Sequence, residues 1–183
     1  MIDRYSRPHL RAIWEPARKY ETWLQVDLLA CEALAKKGLV PASAIRQIRA
    51  RARINPARID ELERVSKHDV IAFIESISEQ AGPAARYLHM GLTSSDILDT
   101  SLAILMVEAA DVILDDIDRL LAVLKARAWE HRDTLMIGRS HGIHGEPITF
   151  GAKLAIWYDE TNRHRDRFRD ARETIACGKI SGA

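Results

Sequence analysis

Cysteine and long apolar runs are both scarce in this sequence of 183 residues. Its two cysteines, Cys31 and Cys177, are too few and too far apart to build a disulfide framework or a cysteine-rich metal site. Isolated thiols are typical of a reducing compartment, so we expect a cytoplasmic location. No apolar run is long enough to span a bilayer, so we expect no membrane association.

Net charge is nearly absent as well. The 27 Lys and Arg residues almost balance the 26 Asp and Glu residues, which leaves a net charge of +1. This balance argues against nucleic acid as a partner, since such proteins carry a strong basic excess. The apolar share of 47% is enough for a sizeable core. A small anionic ligand, bound by local groups, stays compatible with the composition.

The 9 glycines and 6 prolines mostly separate segments with helical periodicity, so we expect an all-α fold. The first part of the chain predicts short helices over 16–37, 41–51, 56–65 and 70–79. Asp69 is the predicted N-cap of the last of these helices. We place a domain boundary near residues 91–93, with an N-terminal helical domain over 1–92.

Residues 93–183 predict the beginning of a central domain of long helices. The segment 94–131 lacks Gly and Pro, which predicts a helix of roughly 55 Å at 1.5 Å per residue. We expect a glycine-rich loop over 136–145 and, after it, a second long helix from Pro147 to about residue 176. Because two such apolar stripes need further helices to cover them, we expect the chain to be part of a longer protein.

Three short stretches combine polar groups with glycine or with a helix start, at 66–69, 90–96 and 138–146. In the second, the hydroxyls of Thr93 and Ser94 and the free N–H groups of a helix start suit a carboxylate or a phosphate. Taken alone, these residues are explained more readily by plain N-capping. Arg4 and Tyr5 can grip a phosphate, although most such pairs bind nothing.

The third stretch holds Ser140, His141 and His144 between glycines. A histidine in such a loop can act as general acid or base near neutral pH. Alternatively, these histidines have no chemical role and only form hydrogen bonds with neighbouring loops. A metal site built from His141, His144 and Glu146 is disfavoured, because the spacing is not that of the helical zinc motif. We therefore expect no metal.

Taken together, four ordered motifs resemble the adenylosuccinate lyase family of the fumarase/aspartase superfamily. They are RYS at 4–6, KHDV at 67–70, HMGLTSSDILDT at 89–100 and GRSHGIHGEPITFG at 138–151. The resemblance implies a helical homotetramer with active sites assembled from three subunits and with no cofactor. It also implies release of fumarate from two purine intermediates, adenylosuccinate and the succinyl-carboxamide ribotide SAICAR.

The resemblance also implies roles for individual residues. His141 is the general acid, and His68 orients or polarises it. The substrate-binding residues that it implies are Arg4, Tyr5 and His89 at the phosphate, Lys67 and Asp69 in a binding loop, Thr93 and Ser94 at a succinyl carboxylate, and Ser140, where many relatives have threonine.

One feature of the family is missing from these 183 residues. The catalytic base of the family is a serine on a mobile loop that lies beyond residue 183, so we expect this chain alone to be inactive. The alternatives are a sibling lyase that acts on argininosuccinate, aspartate or a carboxymuconate, a helical oligomerisation module without chemistry, and a metal hydrolase.

Overall fold

The computed structural model describes residues 2–182, which form seven α-helices and one two-stranded antiparallel ribbon. The helices are α1 (Pro8–Ile13), α2 (Pro16–Lys36), α3 (Ala42–Arg51), α4 (Pro56–Ser66), α5 (Asp69–Ala81), α6 (Ser94–Glu130) and α7 (Phe150–Ile175). The strands are β1 (Leu135–Ser140) and β2 (Ile143–Thr149), and short 3-10 helices cover Asp3–Tyr5 and Gly82–Tyr87. The predicted, mainly helical fold is confirmed.

The chain forms two compact units. One contains the residues up to Met106 together with those from Ala176 onward, and the other is Val107–Ile175. Among the described residues, no helix has the length and apolar character needed to cross a membrane. The division predicted near residue 92 concerns the complete protein and stays a prediction.

The core of the first unit is built around three aromatic rings from α2 and α5. Trp23 meets Tyr20 and Phe73 edge to face, with ring centroids 5.2 and 5.5 Å apart, while Tyr20 and Phe73 are stacked at 6.0 Å. Ile48 of α3 and Ile59 of α4 are fully buried in the same core. Since α4 packs against α5, the core fixes the junction between these two helices.

The end of α2 shows why the sequence predicted its boundary well. Gly38 adopts a left-handed backbone with φ of 75°. Its N–H donates to the carbonyl of Ala35 at 2.9 Å, and the next N–H, of Leu39, donates to Leu34 at 3.1 Å. This pair of bonds is the Schellman ending, which favours glycine because a side chain would strain the left-handed backbone.

In the second unit, α7 runs antiparallel to the later part of α6. Arg172 makes a two-pronged ion pair with Asp111, at 2.9 and 3.2 Å, and Arg165 bonds Asp118 at 3.2 Å. From Asp111 to Asp118 the position on α6 advances by seven residues, while the partner on α7 goes back by seven, from Arg172 to Arg165. The two helices therefore run in opposite directions. The Arg172 guanidinium donates to Asp111 and holds the pKa of that carboxyl below its usual range.

The predicted loop over 136–145 is wrong, because these residues form the β1–β2 hairpin. His141 and Gly142 are the two turn residues, and both have positive φ, 54° and 75°. Two-residue turns with positive φ at both positions match the twist of paired strands. Opposite Gly138 the pairing shifts register at a bulge. The predicted start of the second long helix at Pro147 is also wrong, since Pro147 pairs with Ile137 inside the ribbon.

The observed start of α7 has a local cause. The hydroxyl of Thr149 accepts a hydrogen bond from the N–H of Ala152 at 3.1 Å. A threonine side chain that bonds the third helical N–H in this way is an N-cap, and it begins the helix at Phe150.

Candidate active site

The junction of α4 and α5 carries three of the predicted site residues. Lys67 ends α4 in a left-handed conformation with φ of 55°. His68 then caps α5, because its Nδ1 accepts from the N–H of Ile71 at 3.4 Å. The prediction that Asp69 is the N-cap is therefore wrong. Asp69 is the first helical residue, and its Oδ1 accepts from the N–H of Val70 at 2.7 Å.

This capping bond decides which nitrogen of His68 can meet a ligand. A ring nitrogen that accepts a hydrogen bond carries no proton, so the neutral ring holds its proton on Nε2. The side chain of His68 is 42% exposed. His68 is therefore an N–H donor from Nε2, held by the first turn of α5.

The loop that follows the second 3-10 helix carries His89, which also has a left-handed backbone, with φ of 61°. Its N–H donates to Oδ1 of Asp27 at 3.1 Å, across 62 residues of sequence. One turn further along α2, the thiol of Cys31 donates to the carbonyl of Tyr87 at 3.1 Å. The loop is thus fixed on both sides of Leu88 by one face of α2.

The start of α6 is organised by Asp96, which is fully buried. Its carboxylate accepts from the N–H groups of Thr93, Ser181 and Gly182 at 3.0, 2.9 and 3.1 Å, and from the Ser181 hydroxyl at 3.1 Å. The donors from Thr93 and Ser181 hold the pKa of Asp96 far below its ordinary range. The ammonium of Lys179 lies 3.7 Å away.

The hydroxyls of Thr93 and Ser94 are left available by this arrangement. Both residues are half-buried. Within residues 2–182, neither hydroxyl has a hydrogen-bond partner. The backbone N–H of Thr93, by contrast, is bound by Asp96. Two unengaged hydroxyls at the first turn of a long helix suit an anionic ligand.

Ser140 and His141 lie at the tip of the β1–β2 hairpin, in the second unit, and both are exposed. His144 sits opposite Arg139 across the ribbon. Arg4 and Tyr5 lie in the first unit, in the 3-10 helix near the N-terminus, with the guanidinium 5.0 Å from the ring centroid. Both of these side chains are also exposed.

Two carboxylates with a structural part in the site were not found from the sequence. Asp27 lies inside an amphipathic helix, and Asp96 reads as an ordinary acidic residue in a first helical turn. Each accepts at least one hydrogen bond from a residue more than sixty positions away. The only local signal is an aspartate at an otherwise apolar helix position.

The described residues contain no group of three or more His, Cys, Asp or Glu side chains that could hold a metal ion. This includes the hairpin, where His144 and Glu146 are exposed side chains of β2. Among the described residues neither cysteine forms a disulfide, and Cys31 is buried whereas Cys177 is exposed.

The sequence matches the lyase family over residues 3–183. It is 48% identical over 186 residues to the adenylosuccinate lyase of Aquifex aeolicus (strain VF5), covering all of this chain and 43% of that protein. It is 49% identical to the adenylosuccinate lyase of Synechocystis sp. (strain ATCC 27184 / PCC 6803 / Kazusa) and 45% identical to that of Bacillus subtilis (strain 168), covering all of this chain and 42% of each. The chain thus spans less than half the length of these relatives.

Two solved structures are similar in fold. A fumarate lyase from Mesorhizobium sp. BNC1 superposes with a TM-score of 0.89 at 28% identity, over 98% of this chain and 44% of that one. A 3-carboxy-cis,cis-muconate lactonizing enzyme from Pseudomonas putida gives the same TM-score at 29% identity, over 98% and 42%. The family match covers residues 3–183, and the relatives above are similar over the whole chain. The chain therefore belongs to the lyase family.

Proposed function

We propose that the complete protein is an adenylosuccinate lyase. It releases fumarate from adenylosuccinate to leave AMP, and from SAICAR to leave the carboxamide ribotide AICAR. The observation that carries the proposal is identity of 44–49%, over the whole of this chain, to relatives that bear that name. No metal or organic cofactor takes part in the proposed reaction.

The acid side of the reaction is assigned to His141. Elimination removes a proton beside a carboxylate and expels a nitrogen, which leaves poorly unless it is protonated. A histidine on an exposed two-residue turn can approach the substrate nitrogen, and the hairpin fixes its backbone. The neighbouring hydroxyl of Ser140 binds substrate, in the place where many relatives have threonine.

His68 supports this step as a donor from Nε2. The capping bond from the Ile71 N–H fixes its ring orientation. Preorganised donors of this kind stabilise charge that develops in the transition state, because they need no reorganisation during the reaction. Lys67 and Asp69 flank His68 and complete the substrate-binding loop.

The two anionic ends of the substrate have separate binders in this proposal. Thr93 and Ser94 hold a succinyl carboxylate with their hydroxyls at the start of α6. Arg4, Tyr5 and His89 hold the nucleotide phosphate. Guanidinium and phenol groups are suitable phosphate ligands, since they donate charge-assisted hydrogen bonds.

We place the complete protein in the cytoplasm as a homotetramer, and the exposed apolar faces of its long helices support the assembly. Large apolar side chains are exposed along α6 and α7. They are Leu102, Met106, Leu120, Val123, Trp129, Ile156 and Trp157. Exposed apolar side chains in this number are typical of a surface that binds another protein. In this tetramer each active site is assembled from three subunits. The division between the N-terminal and central domains lies near residue 92.

This assignment gives the 183 residues only part of the chemistry. The proposed base, a serine on a mobile loop, belongs to the portion that the longer relatives carry beyond the matched region. The 183-residue chain alone is therefore expected to release no fumarate. Turnover by that chain would contradict the assignment of the base.

The experiment is a substrate panel with the complete protein, in which the product is measured directly. Adenylosuccinate and SAICAR should yield fumarate, whereas argininosuccinate, aspartate and a carboxymuconate should not react. A preference for one of the last three would identify a sibling lyase. Absence of reaction with all five would favour the oligomerisation module.

A further inference from the structure

Asp27 is an unusual residue to find in the core of the first unit. Its side chain is fully buried, yet the carboxylate has one hydrogen bond, the one from the His89 N–H at 3.1 Å. Its second oxygen, Oδ2, has no partner among residues 2–182. A buried charge that is left half-satisfied is costly, so its presence calls for a specific reason.

The imidazole of His89 also has a polar atom without a partner. Its Nδ1 is buried and has no hydrogen-bond partner among the described residues. This nitrogen lies 3.8 Å from Oδ1 of Asp27, which is too long for a hydrogen bond. The side chain is 21% exposed, so part of the ring still reaches the surface. A small ring movement that shortens this distance would give Nδ1 a hydrogen-bond acceptor on the Asp27 carboxylate.

The surroundings hold the two groups in register. His89 has a left-handed backbone, which costs energy in a residue with a side chain and persists only when neighbours enforce it. Asp27 enforces it through the His89 N–H, and Cys31 fixes the nearby carbonyl of Tyr87. Burial, reinforced by the charge of Asp27, raises the pKa of Cys31 to about 11, so its thiol stays a donor at neutral pH.

We infer that Asp27 is a positioning residue that acts through His89 on the phosphate of the substrate. When phosphate binds, Nδ1–H of a protonated His89 donates to the Asp27 carboxylate, and Nε2–H donates to a phosphate oxygen. Only the protonated ring donates from both nitrogens. The inference rests on the proposed function, because that proposal makes His89 a phosphate contact.

The test is a double-mutant cycle in the complete enzyme, with Asp27→Asn and His89→Ala. Asparagine keeps the shape and the acceptor for the His89 N–H but removes the charge. Asp27→Asn should raise the KM for adenylosuccinate roughly tenfold or more, the scale of a charge-assisted bond, with kcat changed far less. In the His89→Ala background the same substitution should have no further effect, because residues in one network are not additive.

A matched control is Cys31→Ser, which keeps a donor for the Tyr87 carbonyl on the same face of α2. Its KM should stay within about twofold of wild type. A comparison of AMP with adenosine as inhibitors isolates the phosphate. Asp27→Asn should weaken inhibition by AMP and leave inhibition by adenosine unchanged. Equal weakening of both, or additive effects in the cycle, would show a merely structural role and overturn the inference.

A second measurement needs no substitution at Asp27. In the wild-type enzyme with 15N-labelled histidine, addition of AMP should give His89 the nitrogen shifts of a doubly protonated ring, and adenosine should not. His89→Gln identifies the signal. If the enzyme releases fumarate but the signal stays unchanged, the inference fails alone. If no fumarate is released, the proposed function fails, and absence of an AMP-dependent shift then removes the inference as well.

Discussion

Replacing Gly151 with alanine adds one methyl group at a point where the structure has no space for it. Gly151 is a buried residue in the first turn of α7, and its N–H donates to the carbonyl of His131 at 2.9 Å. An added Cβ would lie 2.4 Å from the carbonyl oxygen of Ala128 and 2.7 Å from the backbone nitrogen and Cα of Arg132. Ordinary non-bonded carbon contacts are about 3.5 Å or longer.

Two opposing effects decide the magnitude. Alanine is the better helix former, which would stabilise the fold by at most about 1 kcal/mol. Overpacking costs about 1–3 kcal/mol, and here all three crowded atoms belong to the backbone and cannot rotate away. We therefore expect Gly151→Ala to lower the free energy of unfolding by about 1–2 kcal/mol.

The assay is urea denaturation of the 183-residue chain, followed by circular dichroism. Gly145→Ala in β2 is the matched control, because its added Cβ would lie 3.6 Å from the Gly138 carbonyl oxygen, an ordinary contact. That variant should stay within about 0.5 kcal/mol of wild type. Wild-type stability of Gly151→Ala, or equal losses in both variants, would refute the close approach of α6 and α7.

Three further predictions concern the first unit. Phe73→Ala should lower the free energy of unfolding by about 3–5 kcal/mol in urea denaturation, since it removes the ring that contacts two others. Because the folded pKa of Asp96 is depressed, its contribution to stability is fully present above the ordinary carboxyl pKa and is lost progressively as the pH falls from there through the lower, folded pKa. Asp96→Asn should therefore lower the melting temperature at neutral pH, with a difference from wild type that shrinks in acid. Iodoacetamide near neutral pH should alkylate the exposed Cys177 and spare Cys31, whose pKa is raised by burial; mass spectrometry of the peptides would reveal the opposite order.

Helices with strong local signals could be predicted from the sequence. For α2 the prediction ended within one residue of the observed Lys36, because Gly38 supplies the left-handed ending that the pattern requires. For α6, a stretch without Gly or Pro predicted the helix to His131, and it ends at Glu130. In both segments the signal is local in sequence.

The hairpin and the capping residue of α5 could not be predicted in the same way. A strand buried on one face alternates apolar and polar residues, but most side chains of β1 and β2 are exposed, so no alternation marks them. At α5, both His68 and Asp69 have side chains that can accept a helix N–H. The choice between them depends on the left-handed turn at Lys67, which the sequence does not reveal.

The roles of the two buried carboxylates, Asp27 and Asp96, could not be predicted from the sequence either. Asp27 bonds a residue 62 positions away, and Asp96 bonds Ser181, 85 positions away. Periodicity describes neighbours on one helix, whereas these contacts depend on how separate elements pack. They became visible only once the fold was known.

Kinetics of the complete enzyme tests most directly whether a histidine at the hairpin tip protonates the departing nitrogen. Fumarate release from adenylosuccinate should be compared for wild type, His141→Gln and His144→Gln, the last being an exposed histidine of the same hairpin. His141→Gln should lower kcat at least about a hundredfold with substrate binding retained, whereas His144→Gln should stay close to wild type. Near-normal turnover of His141→Gln would show that His141 is not the general acid.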